Sequence, residues 1–558
     1  MSVVTGIGVF LFFALIQPYQ LRSQEMYQMF LFTSDYFRSV VCLPGGLADY
    51  AGRFLTQFML YPWIGALIVC LLFTSVQQLT FTHIVRRDML AYTVSFVPAV
   101  LLTVSFCNMD TLLSVFVAAV TGLAAAICIR FSKRLAVFEI AASVVLYFLS
   151  GSLGVVFFIG ACHAHHRRVL PTLCGLAAIL ASVIVSRYIF NFQFVRLLCG
   201  IHYSRYHDTV PLLPWLAAAS AVALPLFMKN DRTAGPAWST AAVLVVSVGL
   251  FAGMFANRNA EWEEIFRYST LAGESQWNKI LRSALRRNPS TEISLSCLNL
   301  ALAETGQLGN CMFQFRQNGQ NGLFYPYRRE HISPIPASVV YWNLGFMNTC
   351  QRFTFAAEEV IPDYQKSSWC HRRLAEVFLV KGQYDVARKY LEPLKYTLFY
   401  RSWAVETEKL LDNPEQIDSH TVYGEKRRCD LKEHRSLYSS QDMYTPLYQY
   451  CQENPENMVL RQYLLGLCLL NADMDRFVGF LQPELFREMP VSYQEAYILY
   501  WSRDHDSAYG IPSFVSERTV NNFMSFTTAA MSMSEASLQQ RYSHTYWYYF
   551  INYDDRQN

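Results

Sequence analysis

Between Val3 and Ala256 the chain carries nine long apolar stretches with almost no charge inside them, and this restricts its fold more than any other feature. They are Val3–Ile16, Trp63–Thr82, Leu90–Phe106, Thr111–Ile129, Leu135–Ser150, Gly154–Cys162, Val169–Ser186, Pro211–Met228 and Ser239–Ala256. A bilayer core of roughly 30 Å takes about 20 apolar residues to cross as helix. In lipid a backbone must bond to itself, so segments of this length form helices. Charged residues make up 16% of the chain, against about 25% in ordinary soluble proteins. The deficit lies in the first half, because charges return at normal density after Ala256. The expected architecture is all-α and in two parts. A polytopic bundle of about nine transmembrane helices occupies 1–256, and a soluble helical domain occupies 257–558.

Lys and Arg set the orientation. Short, dense connections hold Arg86 and Arg87, then Arg130, Lys133 and Arg134, then Arg167 and Arg168, then Lys229 and Arg232. The alternate connections spread Arg22, Arg38 and Arg53 over one long loop, and Arg187, Arg196 and Arg205 over another. The dense loops therefore face the cytoplasm, with the amino terminus. One junction has two readings: Leu135–Cys162 is either two short spans hinged at Gly151–Gly154 or one long tilted helix. The hairpin gives the better charge asymmetry, and nine crossings then put everything after Ala256 outside. The single helix would leave the soluble half in the cytoplasm. The first stretch has no basic flank or cleavage site, so it reads as a retained span rather than a signal peptide.

Several function classes lack their signatures. The net charge of +3 is dispersed, with no nucleic-acid footprint. Glu139, near Arg134, is the one ionisable residue within the apolar stretches, which disfavours an ion-coupled transporter. There is no CxxC, Walker loop, HExxH, nucleophile elbow or Rossmann glycine pattern. Cys162-His163-Ala164-His165-His166 has neither i,i+4 helical spacing nor an acidic partner, so no metal or other cofactor is expected.

The loop over 17–62 reads as two amphipathic interfacial helices, one within Glu25–Phe37 and one within Asp49–Leu60, separated by Leu43-Pro-Gly-Gly46. It resembles the first outer loop of the polytopic glycosyltransferases that use lipid-linked sugars, the GT-C fold class. Those enzymes place an acidic residue there to bind a metal or take the acceptor proton. The resemblance implies Asp35, Glu25 and Asp49 as catalytic candidates, although no Asp-x-Asp pair is present. In the second outer loop, Arg187–Val210, the candidate substrate-binding residues are Arg196, Arg205 and His207. Guanidinium groups can clamp a pyrophosphate through paired hydrogen bonds. His202 and Asp208 share that loop.

In the second half, Arg373-Leu-Ala375-Glu-Val-Phe378 followed by Gly382-Gln-Tyr384-Asp-Val-Ala387 resembles a tetratricopeptide unit, with small residues where paired helices approach. Asn343-Leu344-Gly345 and Phe355-Ala-Ala357 repeat the pattern thirty residues earlier, and Leu298–Gly309 and Tyr463–Phe480 echo it. The resemblance implies a tetratricopeptide-like α-solenoid with a concave face, closed by the aromatic tail Tyr542–Tyr553 as a capping helix. Gly322-Leu-Phe-Tyr-Pro, Trp342–Phe353 and Pro44–Tyr50 together resemble a family of uncharacterised multi-pass membrane proteins of Bacteroidota. That implies a bacterial inner-membrane home and a tetratricopeptide-like carboxyl half, which the nine crossings counted above put in the periplasm. The expected function is a membrane scaffold. It contacts lipid and offers its repeats to a protein partner or an envelope polymer, with no nucleic-acid partner. The alternative is a GT-C-like glycosyltransferase with appended repeats.

Overall fold

A computed structural model describes residues 1–84, 87–129, 135–166, 169–206, 211–227, 236–328, 330–363, 365–430, 442–503 and 510–553. Of the basic residues used for orientation in the short connections, Arg87 is described and the others lie outside these residues. Among the described residues every regular element is a helix, with two isolated β-bridges, Thr111 to Ser204 and Asn318 to Gln320. Each of the nine apolar stretches falls on a helix. Five helices are long and apolar enough to cross a membrane: Pro62–His83, Met89–Phe106, Val137–His163, Leu170–Phe190 and Ala237–Asn257. Ser114–Cys128 and Leu212–Leu224 are apolar but shorter. The first helix, Ser2–Ile16, turns through 75° into Pro18–Met26. Gln20, Arg22, Gln24 and Glu25 make that second piece polar, so the bend marks the end of the apolar segment. On Ala237–Asn257, Leu244 and Val245 are each 65% exposed, a surface that suits lipid and not water. The chain is an all-α membrane protein.

The chain forms two compact units. The first comprises 1–263 together with 361–372 and 389–406; the second comprises 264–360, 373–388 and 407–558.

The first unit is built around buried phenylalanines, among them Phe13, Phe106 and Phe116, whose rings pack at 5.7 and 6.0 Å. Its longest helix, Leu135–His166, is broken at Gly151, where φ is +76° and ψ 179°. An L side chain is strained in that region, and glycine is not. The break is therefore where the sequence hinge was expected. Gly45, at φ +77°, closes on it so tightly that a Cβ there would lie 3.3 Å from the Gly151 backbone. The Gly45 N–H donates to the carbonyls of Tyr147 and Phe148 at 3.1 and 3.0 Å.

The second unit has at its centre the helices Glu292–Glu304 and Met458–Leu470, both buried along most of their length. Pro334–Leu344 packs on Met347–Glu359 and ends at Gly345, whose φ of +85° makes the left-handed turn between them. The aromatic tail folds down as the helix Tyr546–Ile551 with Tyr546, Trp547, Tyr548 and Tyr549 buried. The Trp547 indole donates to the Glu495 carbonyl and the Tyr549 hydroxyl to that of Leu470, both at 2.8 Å. These bonds fix the tail against the helices beneath it.

Candidate functional site

In the first unit the helix Gly46–Thr56 lies against the start of Ser114–Ile129; a Cβ on Gly52 would come within 2.7 Å of the Ser114 backbone. That approach buries Asp49, in its first turn, to 1% exposure. Arg53, one turn on, reaches back to Asp49 at 2.7 Å. The second loop enters from the helix Phe194–Cys199 through a turn at Gly200. Residues beyond that turn are held to 110–112 by the Thr111–Ser204 bridge, with Leu112 N–H on the Tyr203 carbonyl and Arg205 N–H on that of Asp110, at 3.1 and 2.6 Å. The Tyr203 hydroxyl donates to the Ser150 carbonyl at 2.5 Å and accepts from the Leu153 N–H at 3.2 Å, just beside the Gly151 break. The Ser114 hydroxyl donates to the His202 carbonyl.

These anchors turn His202 and Arg205 inward. The His202 Nδ1 lies 3.4 Å from Asp49 Oδ2, while its Nε2 is buried without a hydrogen-bond partner. Arg205 donates to the Tyr27 carbonyl at 3.2 Å and to Gln24 Oε1 at 2.7 Å, and lies over the Tyr27 ring; its Nε has no acceptor. Arg196 pairs with Asp363 at 2.8 Å, and Asp363 itself adopts a left-handed φ of +59°. Asp49, Arg53, His202, Arg205 and Asp363 line a cavity of about 30 Å³, room for roughly two waters. Burial weighs against the charge on Arg53, but Asp49 and Tyr36 outweigh it and hold the guanidinium above its usual range. Burial pulls the His202 imidazole below its usual value, with Asp49 opposing.

Of the residues singled out in the sequence, Asp49 and Arg205 therefore meet in one cavity, and Arg196 stands outside its lining, paired with Asp363. Glu25 is buried but is not part of its lining. It accepts from the Tyr400 hydroxyl at 3.2 Å, and burial pushes its carboxyl from 4.5 up to about 8 against the pull of Tyr400 and Arg22. Asp35 sits exposed in the first turn of Ser34–Val41, away from the cavity. His207 and Asp208 lie outside the described residues. His202 was not singled out from its loop. Its one sequence signal is the Gly200 turn ahead of Ile-His-Tyr-Ser-Arg, and its contact with Asp49 joins positions far apart in the chain. Among the described residues no three His, Cys, Asp or Glu side chains gather as a metal site.

The second unit holds a different kind of site, a cleft of about 1110 Å³. One wall is the loop 313–321, pinned from behind: Gln317 donates to the Met312 carbonyl at 2.6 Å, Asn299 donates to Gln317 Oε1 at 3.0 Å, and Asn318 donates to Glu292 at 2.7 Å. Phe313 packs on Tyr546 and Tyr549 with ring centroids 5.1 and 5.0 Å apart, which ties this wall to the aromatic tail. The lining is mainly amide and aromatic, with Gln314, Gln320, Asn321 and Gln539 facing it and Arg316 its one ionised side chain. Among the described residues no carboxylate, histidine or cysteine lines it.

The chain belongs to DUF6057, a family of unknown function, which it matches over residues 1–552. No curated protein and no solved structure matches it.

Proposed function

We propose that this protein is an integral membrane scaffold that presents its carboxyl-terminal helical unit outside the cytoplasm to bind an envelope polymer or a protein partner. The cleft of about 1110 Å³ in the second unit carries the reading. It exceeds the usual range of small-molecule pockets, about 300–1,000 Å³. Its amides both donate and accept, which suits the hydroxyls and amides of a chain-like ligand. Its lining among the described residues is mainly amide and aromatic, which favours recognition of a ligand.

The full topology belongs to the same proposal: nine crossings, amino terminus in the cytoplasm, carboxyl-terminal unit in the periplasm of a bacterial inner membrane. It is supported by the way the loop 43–46, the stretch 110–114, the break at Gly151 and the loop 201–205 come together in one place. A single straight span over 135–166 would put the two long loops on opposite faces of the bilayer. A hairpin at Gly151 puts them on one. The tetratricopeptide-like reading of the second unit draws on the left-handed turns at Gly345 and Gly382 and on the complete burial of Ala375 and Ala387.

The test uses the intact chain in nanodiscs, incubated with isolated envelope polysaccharide and with an envelope protein extract. Gln320→Trp together with Gln539→Trp fills the cleft. The expected result is capture of one component by the native protein and its loss in the filled variant. Capture that survives filling, or no capture at all, refutes the reading.

The second reading, a GT-C-like glycosyltransferase, is favoured by the burial of Asp49 against His202. As it stands, the cavity beside them admits water but not a sugar, so transfer would require the two loops to part.

A further inference from the structure

We propose that the cavity between the two long loops of the first unit is a binding site for a phosphate-class oxyanion, either free phosphate or a phosphate ester, held by Arg205 and His202. The site is independent of the cleft in the second unit and of whatever that cleft binds.

Arg205 supplies the first reason. Its side chain is 7% exposed, and the two acceptors of its guanidinium, the Tyr27 carbonyl and Gln24 Oε1, are uncharged. Asp110 attracts it through space. A buried guanidinium with an unused Nε–H is costly unless something anionic completes it. Its planar fork matches two oxygens of a tetrahedral oxyanion.

His202 supplies the second. It is 6% exposed, its Nδ1 faces Asp49, and its Nε2 ends unpartnered in the same cavity. The two carboxylates that would repel an anion here are both already engaged, Asp49 by Arg53 and Asp363 by Arg196. Arg53 and Arg205 line the cavity with Asp49 and Asp363, while Arg196 and Asp110 stand outside the lining; Arg205 is the lining guanidinium without a carboxylate ion pair, which disfavours a cation. The volume of about 30 Å³ accepts two oxygens in place of two waters, but not a sugar ring.

Binding is coupled to a proton. With the site empty, burial disfavours the imidazolium of His202; Asp49 and Asp363 favour it, and Arg53 and Arg196 oppose it. An oxyanion at Nε2 adds a favourable partner for the charged form, so it binds together with a proton and more tightly as pH falls.

The experiment is calorimetric titration of the full-length protein in nanodiscs of phosphatidylcholine with inorganic phosphate, at constant ionic strength, at pH 6 and pH 8. A second series adds phosphatidic acid to the nanodiscs. Native protein should bind phosphate several-fold more tightly at pH 6. Arg205→Gln should weaken it at least tenfold, and His202→Gln should retain the pH 8 affinity but lose the gain at pH 6. Arg205→Lys keeps the charge without the fork. It serves if the Gln variant does not fold by size exclusion, and the same tenfold loss is expected. If phosphatidic acid in the nanodisc competes with phosphate, the natural ligand is a lipid headgroup; phosphate binding without competition points to a soluble ester. Absence of phosphate binding at pH 6, or folded Arg205 and His202 variants that bind like the native protein, overturns the proposal.

Discussion

Replacing Glu25 by Gln tests the electrostatics of the first unit most directly. Glu25 is 3% exposed, and its carboxyl is pushed from 4.5 up to about 8 by burial. A group whose folded value is raised contributes stability that is complete below its unfolded value. That contribution is lost as pH climbs through the folded one. The window here runs from 4.5 to about 8. Each pH unit within it costs about 1.4 kcal/mol, so the native protein loses about 5 kcal/mol across the window. Gln keeps an oxygen to accept from Tyr400 and cannot ionise, so Glu25→Gln escapes that loss. In urea unfolding in mild detergent, followed by tryptophan fluorescence, the variant should match the native protein near pH 5 and exceed it by about 5 kcal/mol at pH 9. Parallel pH profiles for the two proteins would refute the argument, because they would mean Glu25 titrates alike in the folded and unfolded chain.

Other substitutions probe the frame. Asp49→Asn leaves Arg53 buried without its counter-charge and should cost about 3–5 kcal/mol in the same assay, whereas loss below 1 kcal/mol would mean the pair is solvated. Gly151→Val places a Cβ about 2.3 Å from the Tyr203 hydroxyl in a backbone region only glycine favours, and should sharply reduce the yield of monodisperse protein. Gly249→Ala, with nothing within 4 Å, should leave that yield unchanged. Cys42 is exposed in the first long loop and should react with a membrane-impermeant maleimide from the periplasmic side, with Cys42→Ser as control. Labelling only after the inner membrane is opened would invert the topology.

Helix type and the apolar framework were legible because hydrophobic length leaves a chain in lipid no other choice. The break at Gly151 was legible too, because a hinge over Gly151–Gly154 gives the connecting loops the better Lys/Arg asymmetry. Choosing among Asp35, Glu25 and Asp49 was not. The sequence reads all three as parts of amphipathic helices of one loop; in the structure Glu25 instead ends the polar helix Pro18–Met26, residues 27–33 are not helical, and the three differ in what lies over them: solvent for Asp35, Tyr400 for Glu25, His202 and Arg53 for Asp49. Such differences arise from contacts between distant positions, which leave no periodic trace. The same holds for the share of the first unit drawn from 361–372 and 389–406. Their composition matches the helices around them, and the aromatic run Tyr396–Tyr400 is the one hint, through Phe399 packing on Phe58 and Tyr61 at 5.7 and 5.5 Å.

That late contribution has a consequence for biosynthesis. The last helix long and apolar enough to cross a membrane ends at Asn257, yet the first unit is completed by residues as far on as 406. At translation speeds of about 5–20 residues per second, roughly 7–30 s pass between the two. For that interval Glu25 and the aromatic patch around Phe58 stand uncovered on a nascent chain already threaded into the bilayer. A message truncated between residues 257 and 406 would therefore yield a protein with every helix long and apolar enough to cross a membrane but an unfinished first unit, a natural target for the quality-control proteases of the membrane.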